Sequence, residues 1–252
     1  DKRLRYCHAR NEYGYGKQVT AALNRAALSA AAADAASSGR QLYLGRGVVS
    51  ISDQVYISSG VDVFGEGEST EIIVVGADKN GFVVNGNNRV SFRGFKVNSD
   101  TASTVPYKAG VVAYNANDVT LEHVIMDSIS WAGVWAQDAS RLRIAHCKFA
   151  GVLSLSIGNC GDIVAYRVLD STIEDNDCNG GGWQGILAQK PDALIETGHS
   201  KNVRIINNRI SNQSAYGICV YEFERGDCRH HIIGNKIHNI GGANPNGAGG
   251  NG

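Results

Sequence analysis

Acidic and basic side chains gather in two short stretches that lie one sequence repeat apart. The later stretch is YEFERGD at 221–227, and the earlier one is QKPD at 189–192. Hydrolysis of a glycosidic bond needs an acid and a base or nucleophile that lie about 5–9.5 Å apart. Asp192 with Glu222 or Glu224 meets this requirement if the two stretches stand side by side. Hydrolysis of a sugar polymer is therefore one chemistry that these residues could perform.

The same stretches also hold the groups for an elimination reaction on a uronic acid. Lys190, Tyr221 or His199 would act as the base, and Arg225 or a cation would neutralise the substrate carboxylate. We predict no cofactor, although a calcium requirement is compatible with this chemistry. A solvated, charged turn accounts for the same residues without any reaction. The catalytic candidates are Lys190, Asp192, His199, Tyr221, Glu222 and Glu224.

A second set of side chains has the composition of a sugar-binding surface. Aromatic faces stack on the C–H surfaces of sugars, and side-chain amides hydrogen-bond to sugar hydroxyls. Aromatic and glutamine residues are also common on the outer face of an ordinary β-sheet, which is the alternative explanation. The predicted substrate-binding residues are Tyr114, Trp135, Gln137, Asp138, Gln189 and Arg225.

These residues can share a surface only if the chain repeats, and the sequence does repeat. Runs of five residues that begin with glycine recur at 81–85, 110–114, 133–137, 185–189 and 217–221, and SIGNC at 156–160 is a degenerate copy. An apolar triplet with fixed internal spacing follows each run. The triplets are Val90/Phe92/Val97, Val119/Leu121/Met126, Leu142/Ile144/Phe149, Tyr166/Val168/Ile173, Val203/Ile205/Ile210 and His230/Ile232/Ile237. A period of roughly 23–37 residues is typical of a solenoid.

Apolar and polar residues alternate within each repeat, which is the period of a β-strand. Val203-Arg204-Ile205 can bury its aliphatic side chains and expose its arginine only as a strand. About three short strands per repeat would form one coil, and stacked coils would pair in parallel about 4.8 Å apart. We therefore predict an all-β fold, a parallel β-helix. A β-sandwich is the alternative, and the constant triplet spacing argues against it.

The alternation also predicts which residues point outward in columns along the solenoid axis. One column is Val83, Val112, Trp135, Gly158, Leu187 and Cys219, and its neighbour is Asn85, Tyr114, Gln137, Cys160, Gln189 and Tyr221. The turn residues Asp138, Lys190 and Glu222 flank the second column. We expect the aromatic members of these columns to be exposed.

The ends of the chain differ from the repeats. An alanine-rich segment at 18–39 predicts a helix, and this helix would cap the open N-terminal end of the coils at 41–240. A partner-binding helix is the alternative. The Gly/Asn-rich tail at 241–252 carries no core pattern, so we expect an incomplete C-terminus or an oligomeric cap. The whole chain, 1–252, is predicted to form one domain.

Composition excludes several classes of function. Abundant glycine with little proline, 31 against 3, suits tight coil corners rather than disordered linkers. The formal net charge is zero, which gives no electrostatic reason to expect nucleic acid or a membrane surface as partner. Six cysteines show no zinc spacing. Cys219 and Cys228 could form a disulfide, or the cysteines could be small buried residues.

The N-terminal third resembles a known family. The alanine-rich helix, the strand segment at 41–52 and GVDVFGEGESTEII at 60–73 resemble the start of pectate-lyase-like right-handed β-helix proteins. That group includes polysaccharide lyases, glycoside hydrolases, mannuronan C5-epimerases and bacteriophage tailspikes. The resemblance implies a right-handed β-helix that cleaves a polysaccharide along an outward groove, and an extracellular or surface-associated location.

The resemblance also implies two other functions. One is a non-catalytic binding module or trimeric tailspike, in which the outward columns pack against sister chains. The other is a uronate epimerase. Epimerase-like members carry Asp and His on a Tyr-Gly-Phe-Asp-Pro-His strand, whereas here Tyr216 and Gly217 match and Cys219 and Tyr221 replace the Asp and the His. The expected partner in each case is a polysaccharide or oligosaccharide.

Overall fold

The computed structural model describes residues 6–8, 20–76, 78–101, 108–129, 131–152, 160–180, 183–189, 200–221 and 229–241, with the backbone alone at 6–8, 152, 189 and 221. Three parallel sheets run along one axis in this part of the chain, and successive strands pass from one sheet to the next. The predicted parallel β-helix is confirmed.

The strands are numbered in chain order and grouped by sheet. Sheet A contains β1 (Tyr6–His8), β2 (Gln41–Tyr43), β5 (Asp62–Phe64), β8 (Asn88–Arg93), β11 (Asn117–Glu122), β14 (Arg143–Ala145), β17 (Thr172–Glu174), β20 (Arg204–Ile206) and β23 (His231–Ile233). Sheet B contains β3 (Gly47–Ile51), β6 (Thr70–Val74), β9 (Lys96–Ser99), β12 (Ile125–Ile129), β15 (Lys148–Val152), β18 (Asp177–Asn179), β21 (Arg209–Ser211) and β24 (Lys236–His238). Sheet C contains β4 (Val55–Tyr56), β7 (Phe82–Asn85), β10 (Ala109–Tyr114), β13 (Ala132–Gln137), β16 (Gly161–Tyr166), β19 (Gln184–Gln189) and β22 (Tyr216–Tyr221).

The helix α1 (Ala21–Ser38) packs against the first strands of all three sheets and caps the N-terminal end of the solenoid. Thr20 begins it, because its hydroxyl accepts a hydrogen bond from the Leu23 N–H, and Gly39 ends it with a left-handed φ of 65°. The predicted cap is confirmed. Within the described ranges, no helix has both the length and the apolar character required to cross a membrane.

The solenoid core is built from the inward side chains of the alternating strands. Val90, Val119 and Leu142 begin three of the predicted triplets, and all are buried. Leu121 pairs with Phe92 on one side and Ile144 on the other, so like positions stack from coil to coil. In the last coil the core positions Ile232 and Ile237 are 50% and 47% exposed.

The predicted register is wrong in the coil that contains β16. Val164 pairs with Trp135 and Tyr166 with Gln137, so these residues hold the places that we predicted for Gly158 and Cys160. The core triplet of this coil is Ser171, Ile173 and Cys178 rather than Tyr166, Val168 and Ile173, because Ile173 pairs with Ile144 and Cys178 with Phe149. Small polar residues at core positions hid the true repeat.

Asp162 is the second reason for the wrong register. It occupies the position at which the glycine-led runs of the other coils have their glycine, for example Gly133 and Gly185. A Cβ at Gly133 would lie 2.4 Å from the Phe149 ring, so this column faces the core residues of sheet B. In the next coil the facing residue is Cys178, which is smaller than phenylalanine and leaves room for an inward side chain. The Asp162 side chain therefore lies inside the solenoid and is buried.

A row of asparagines joins the coils at the buried corner between sheets A and B. The Asn208 Oδ1 accepts the Asn176 N–H at 3.0 Å, and the Asn235 Oδ1 accepts the Asn208 N–H at 2.8 Å. The Asn208 Nδ2 donates to the Ile173 carbonyl at 3.0 Å. Each amide thus satisfies backbone groups that the turn leaves without a strand partner. Asn208 and Asn235 therefore have a structural role at this corner.

Asn208→Ala should lower the free energy of unfolding by about 2–4 kcal/mol, because it leaves a buried N–H and a buried carbonyl without partners. Denaturant unfolding measures this loss. Asn88→Ala is the matched control: Asn88 is exposed and accepts one exposed hydrogen bond from Asn117, so we expect a change within about 0.5 kcal/mol. Equal losses in the two variants would contradict the buried ladder.

Asp162→Asn should remove a pH dependence of stability. The Gln213 Nε2 donates to the Asp162 Oδ2 at 2.7 Å, and the Oδ1 has no hydrogen-bond partner among the described residues. Burial raises the pKa of Asp162 well above its ordinary value, and the nearby Asp177 adds to the shift. Because the folded state holds this proton more tightly than the unfolded chain, stability is greatest below the unfolded pKa of about 3.9 and falls as pH rises towards the folded pKa.

The free energy of unfolding of the parent should therefore decline above pH ~4 with an added slope of up to about 1.4 kcal/mol per pH unit. Asn keeps an acceptor for Gln213 and cannot ionise, so the variant lacks this part of the slope. Denaturant unfolding of parent and variant between about pH 4 and 8 measures the difference. Identical slopes would show that the pKa of Asp162 is not raised in the folded state.

Candidate functional site

The predicted site falls partly within the described residues. Lys190, Asp192, His199, Glu222, Glu224 and Arg225 lie outside them. Gln189 and Tyr221 are described by their backbone, and they pair directly between β19 and β22. Lys190 and Glu222 follow these two residues in the sequence. The catalytic assignments stay predictions.

The outer face of sheet C carries the predicted rings and one of the predicted amides. Tyr114 pairs with Gln137 and Val112 with Trp135, so Tyr114 and Trp135 are diagonal neighbours on adjacent strands. Their ring centroids lie 6.4 Å apart with an interplanar angle of 36°. Both rings are half-buried and Gln137 is half-buried beside them. The parallel register therefore places two aromatic faces and an amide within one small area.

Most of the outer face is apolar and covered, which corrects the expectation of exposed columns. Val112 is 3% exposed and Leu187 is fully buried, although both point away from the solenoid core. They belong to a second hydrophobic cluster that also includes Val164 and the fully buried Trp131. Tyr166 is likewise buried in this cluster. Outward apolar side chains gain stability by packing together. The edge of the face that holds Tyr114, Trp135 and Gln137 is partly open, as are the positions of Tyr56 and Asn85 in earlier coils.

An ion pair lies at the corner that follows this edge of sheet C. Arg167 donates from Nε and Nη2 to the two carboxylate oxygens of Asp138, each at 2.5 Å. Gln137 donates to the Asp138 Oδ2 at 3.3 Å. Asp138 and Arg167 occupy the same corner position in successive coils, with left-handed φ values of 54° and 49°. The stacking of coils thus holds a bidentate pair beside the aromatic rings.

The ion pair determines what Asp138 can do. Hydrogen bonds from Arg167 hold the pKa of Asp138 below its ordinary value, and the same contact raises the pKa of Arg167. Asp138 is therefore an ionised acceptor that orients Arg167 and is not a proton donor. Gln137, Asp138 and Arg167 thus form one connected polar group, and Tyr114 pairs with Gln137 beside it.

Sequence reasoning missed Arg167 in this group, and it placed Tyr166 in the core instead of on the outer face. Both belong to the coil whose register was wrong. The correct register could have been found from the segment CGDIVAYR at 160–167. It has the same alternation as WAGVWAQD at 131–138 if Asp162 is aligned with Gly133.

The described cysteines do not supply a nucleophile. Cys147, Cys160, Cys178 and Cys219 are free thiols, and Cys228, the other half of the disulfide considered above, lies outside the described residues. Burial raises the pKa of Cys147 to about 12 and shifts those of the other three upward. A thiol that stays protonated at neutral pH is a poor nucleophile. In the part of the chain that is described, no group of three or more His, Cys, Asp or Glu residues is placed to hold a metal ion.

Known structures share this architecture. Over 94% of this chain and 77% of the other, it superposes on the A-module of the mannuronan C-5 epimerase AlgE6 from Azotobacter vinelandii with a TM-score of 0.64 and 18% identity. PfbA, a surface adhesin of Streptococcus pneumoniae, matches with a TM-score of 0.65 and 14% identity over 92% of this chain and 62% of its own. The tailspike of E. coli bacteriophage HK620, solved with a pentasaccharide, gives 0.62 and 13% over 92% and 50%.

A comparison of the sequence with protein-family models identifies the family. No curated protein matches the chain. The model of the family described as "Right handed beta helix region" matches residues 80–251, which is more than half of the chain. This match confirms the predicted right-handed β-helix. The chain belongs to the right-handed β-helix family.

Proposed function

We propose that this protein binds a polysaccharide on the partly open edge of the outer face of sheet C and cleaves it there. The observation that carries the proposal is the close grouping of Tyr114 and Trp135 with Gln137 and the Asp138–Arg167 pair. Sugars need both apolar surfaces for their C–H faces and fixed polar groups for their hydroxyls. This group offers both, on a rigid sheet.

The orientation of the group favours an extended polymer. Tyr114, Gln137 and Arg167 come from three successive coils, which follow one another along the solenoid axis. A chain of sugar rings lying along that axis would contact them in turn. Because neighbouring coils are about 4.8 Å apart, the contacts recur at a spacing that is fixed by the backbone and not by flexible loops.

Three solved structures add support of a coarser kind. An epimerase that is named for mannuronan, a tailspike with a bound pentasaccharide and a surface adhesin all use this architecture. At these low identities the three structures support only a shared fold. A mannuronan epimerase and a tailspike with a bound pentasaccharide are compatible with a polysaccharide partner for this chain. A surface adhesin and a tailspike are compatible with an extracellular or surface location.

Cleavage would use the residues that follow the paired ends of β19 and β22. Gln189 and Tyr221 are direct neighbours, and the sequence continues from them into Lys190 and Glu222. We assign the acid and base roles of a lyase or hydrolase to Lys190, Asp192, His199, Tyr221, Glu222 and Glu224, and the binding of substrate to Arg225. An epimerase is a weaker proposal, because Cys219 and Tyr221 replace the Asp and His of the epimerase-like strand.

Trp135→Ala should weaken binding of the preferred polysaccharide about tenfold, because it removes an aromatic stacking surface. Affinity electrophoresis or isothermal titration against a panel of neutral and acidic polysaccharides measures the effect. Tyr43→Ala is the matched control, since Tyr43 is a partly exposed ring on sheet A that stacks on Phe64 at 5.0 Å between ring centroids. Unchanged affinity in the folded Trp135 variant, or equal losses in both variants, would remove this edge from the site.

Glu222→Gln should lower cleavage at least about 100-fold while binding is retained, because it removes a proton-transfer group but not the rings. Release of reducing ends and the ultraviolet absorbance of unsaturated uronates distinguish hydrolase from lyase. Glu68→Gln, at an exposed position, is the control and should keep full activity. Binding without cleavage by the parent would favour the binding module, and a stable trimer that buries Trp135 and Tyr114 would favour the tailspike shaft.

A further inference from the structure

Two exposed histidines stack on each other at the corner between sheets A and B. The ring centroids of His123 and His146 lie 5.1 Å apart, and the rings are within 14° of parallel. The two residues hold the same corner position in successive coils, and each has a left-handed φ of 53°. This pair lies on a different side of the solenoid from the proposed saccharide site on sheet C.

The backbone of the coils fixes the spacing of the two imidazoles. The His123 N–H donates to the Ala145 carbonyl at 3.3 Å, and the His146 N–H donates to the Glu174 carbonyl at 3.2 Å. These bonds repeat the parallel ladder at the corner, so the two side chains leave neighbouring coils in the same direction. The stack is therefore preorganised by the fold.

The ring nitrogens of both histidines are available. Neither ring makes a hydrogen bond to the other described residues, and both side chains are exposed. The flanking carboxylates are engaged elsewhere, because Arg143 bonds to Glu122 at 3.2 Å and to Glu174 at 2.9 Å. The nearby Lys148 lies 3.9 Å from Glu68. Glu122, Glu174 and Lys148 thus bond to partners other than the two imidazoles.

We propose that His123 and His146 together bind a divalent transition-metal ion such as Ni²⁺, Cu²⁺ or Zn²⁺. Neutral imidazole is a preferred ligand of these ions. Because a metal–imidazole bond is about 2.0–2.1 Å long, two nitrogens that share one ion lie roughly 3–4 Å apart. Both rings are exposed, so each can rotate about its side-chain torsions out of the 5.1 Å stack and turn its lone pair towards a shared ion. Water completes the coordination.

The bound ion would join two coils. An ion that binds the folded chain and not the separated coils stabilises the fold in proportion to its concentration and affinity. This effect concerns the solenoid itself and is independent of any action on a saccharide.

Isothermal titration of the full chain with Ni²⁺ alone tests the proposal. The parent should bind with an affinity at least about tenfold higher than that of His123→Asn and of His146→Asn, because each variant loses one of two ligands. Asparagine tolerates the left-handed corner, which protects the fold. His238→Asn changes an exposed histidine of β24 and should bind Ni²⁺ as the parent does.

Thermal unfolding with and without Ni²⁺ gives a second readout. The unfolding temperature should rise in the parent and in His238→Asn, and it should rise less in both corner variants. If His146→Asn fails to fold, His123→Asn alone decides the outcome. The proposal is overturned if the parent binds no more tightly than the corner variants, or if His238→Asn loses the binding.

Discussion

Parallel pairing of one coil with the next is the constraint on which this structure depends. Each strand hydrogen-bonds to its equivalents in the coils before and after it, so residues about 20 to 35 positions apart in sequence become side-by-side neighbours. Ile144, for example, pairs with Leu121 on one side and Ile173 on the other. Because the side-chain direction alternates along each strand, one register decides both what enters the core and what meets on the surface.

The same constraint places the side chains of equivalent positions in successive coils next to one another. A buried corner amide is stable only if the next coil offers it a hydrogen-bond partner. Asn176, Asn208 and Asn235 meet this condition, because each side-chain oxygen of the later coil accepts the backbone N–H of the asparagine before it. At an outer corner the neighbours are charged, and Asp138 and Arg167 form a bidentate pair. At the opposite corner of sheet A they are aromatic and titratable, and His123 and His146 stack. The buried asparagines, the ion pair and the histidine stack thus all result from the parallel stacking of equivalent corner positions.

The fold was predictable because alternation and glycine-led runs report this register directly. Prediction failed in the one coil whose residue types differ from those at the equivalent positions of the other coils. Asp162 stands in a column of glycines, and Cys178 gives it the room that Phe149 denies at Gly133. A pattern of hydrophobicity cannot show such compensation, since it depends on two residues that face each other across the solenoid. The loss of this one coil also hid Arg167, the partner of Asp138.

The site was less predictable than the fold for a related reason. Alternation tells which way a side chain points, but it does not tell what covers it. Val112 and Leu187 point outward as expected and are nevertheless buried in a second cluster with Trp131. The edge with Tyr114 and Trp135 stays partly open. Which part of an outward face is available to a ligand depends on packing above the sheet, which the period of the strands does not encode.

A one-dimensional array also grades stability along its axis, because an end coil has one neighbour instead of two. Helix α1 supplies the missing neighbour at the N-terminal end, where Leu42 and Val49 are buried. In the last described coil Ile232 and Ile237 hold core positions and remain about half exposed. The aromatic group on β10 and β13 lies between these extremes, with paired coils on both sides. The charged stretches follow β19 and β22, nearer to the exposed end. The rings that the binding proposal uses therefore lie in a part of the solenoid that has paired neighbours on both sides.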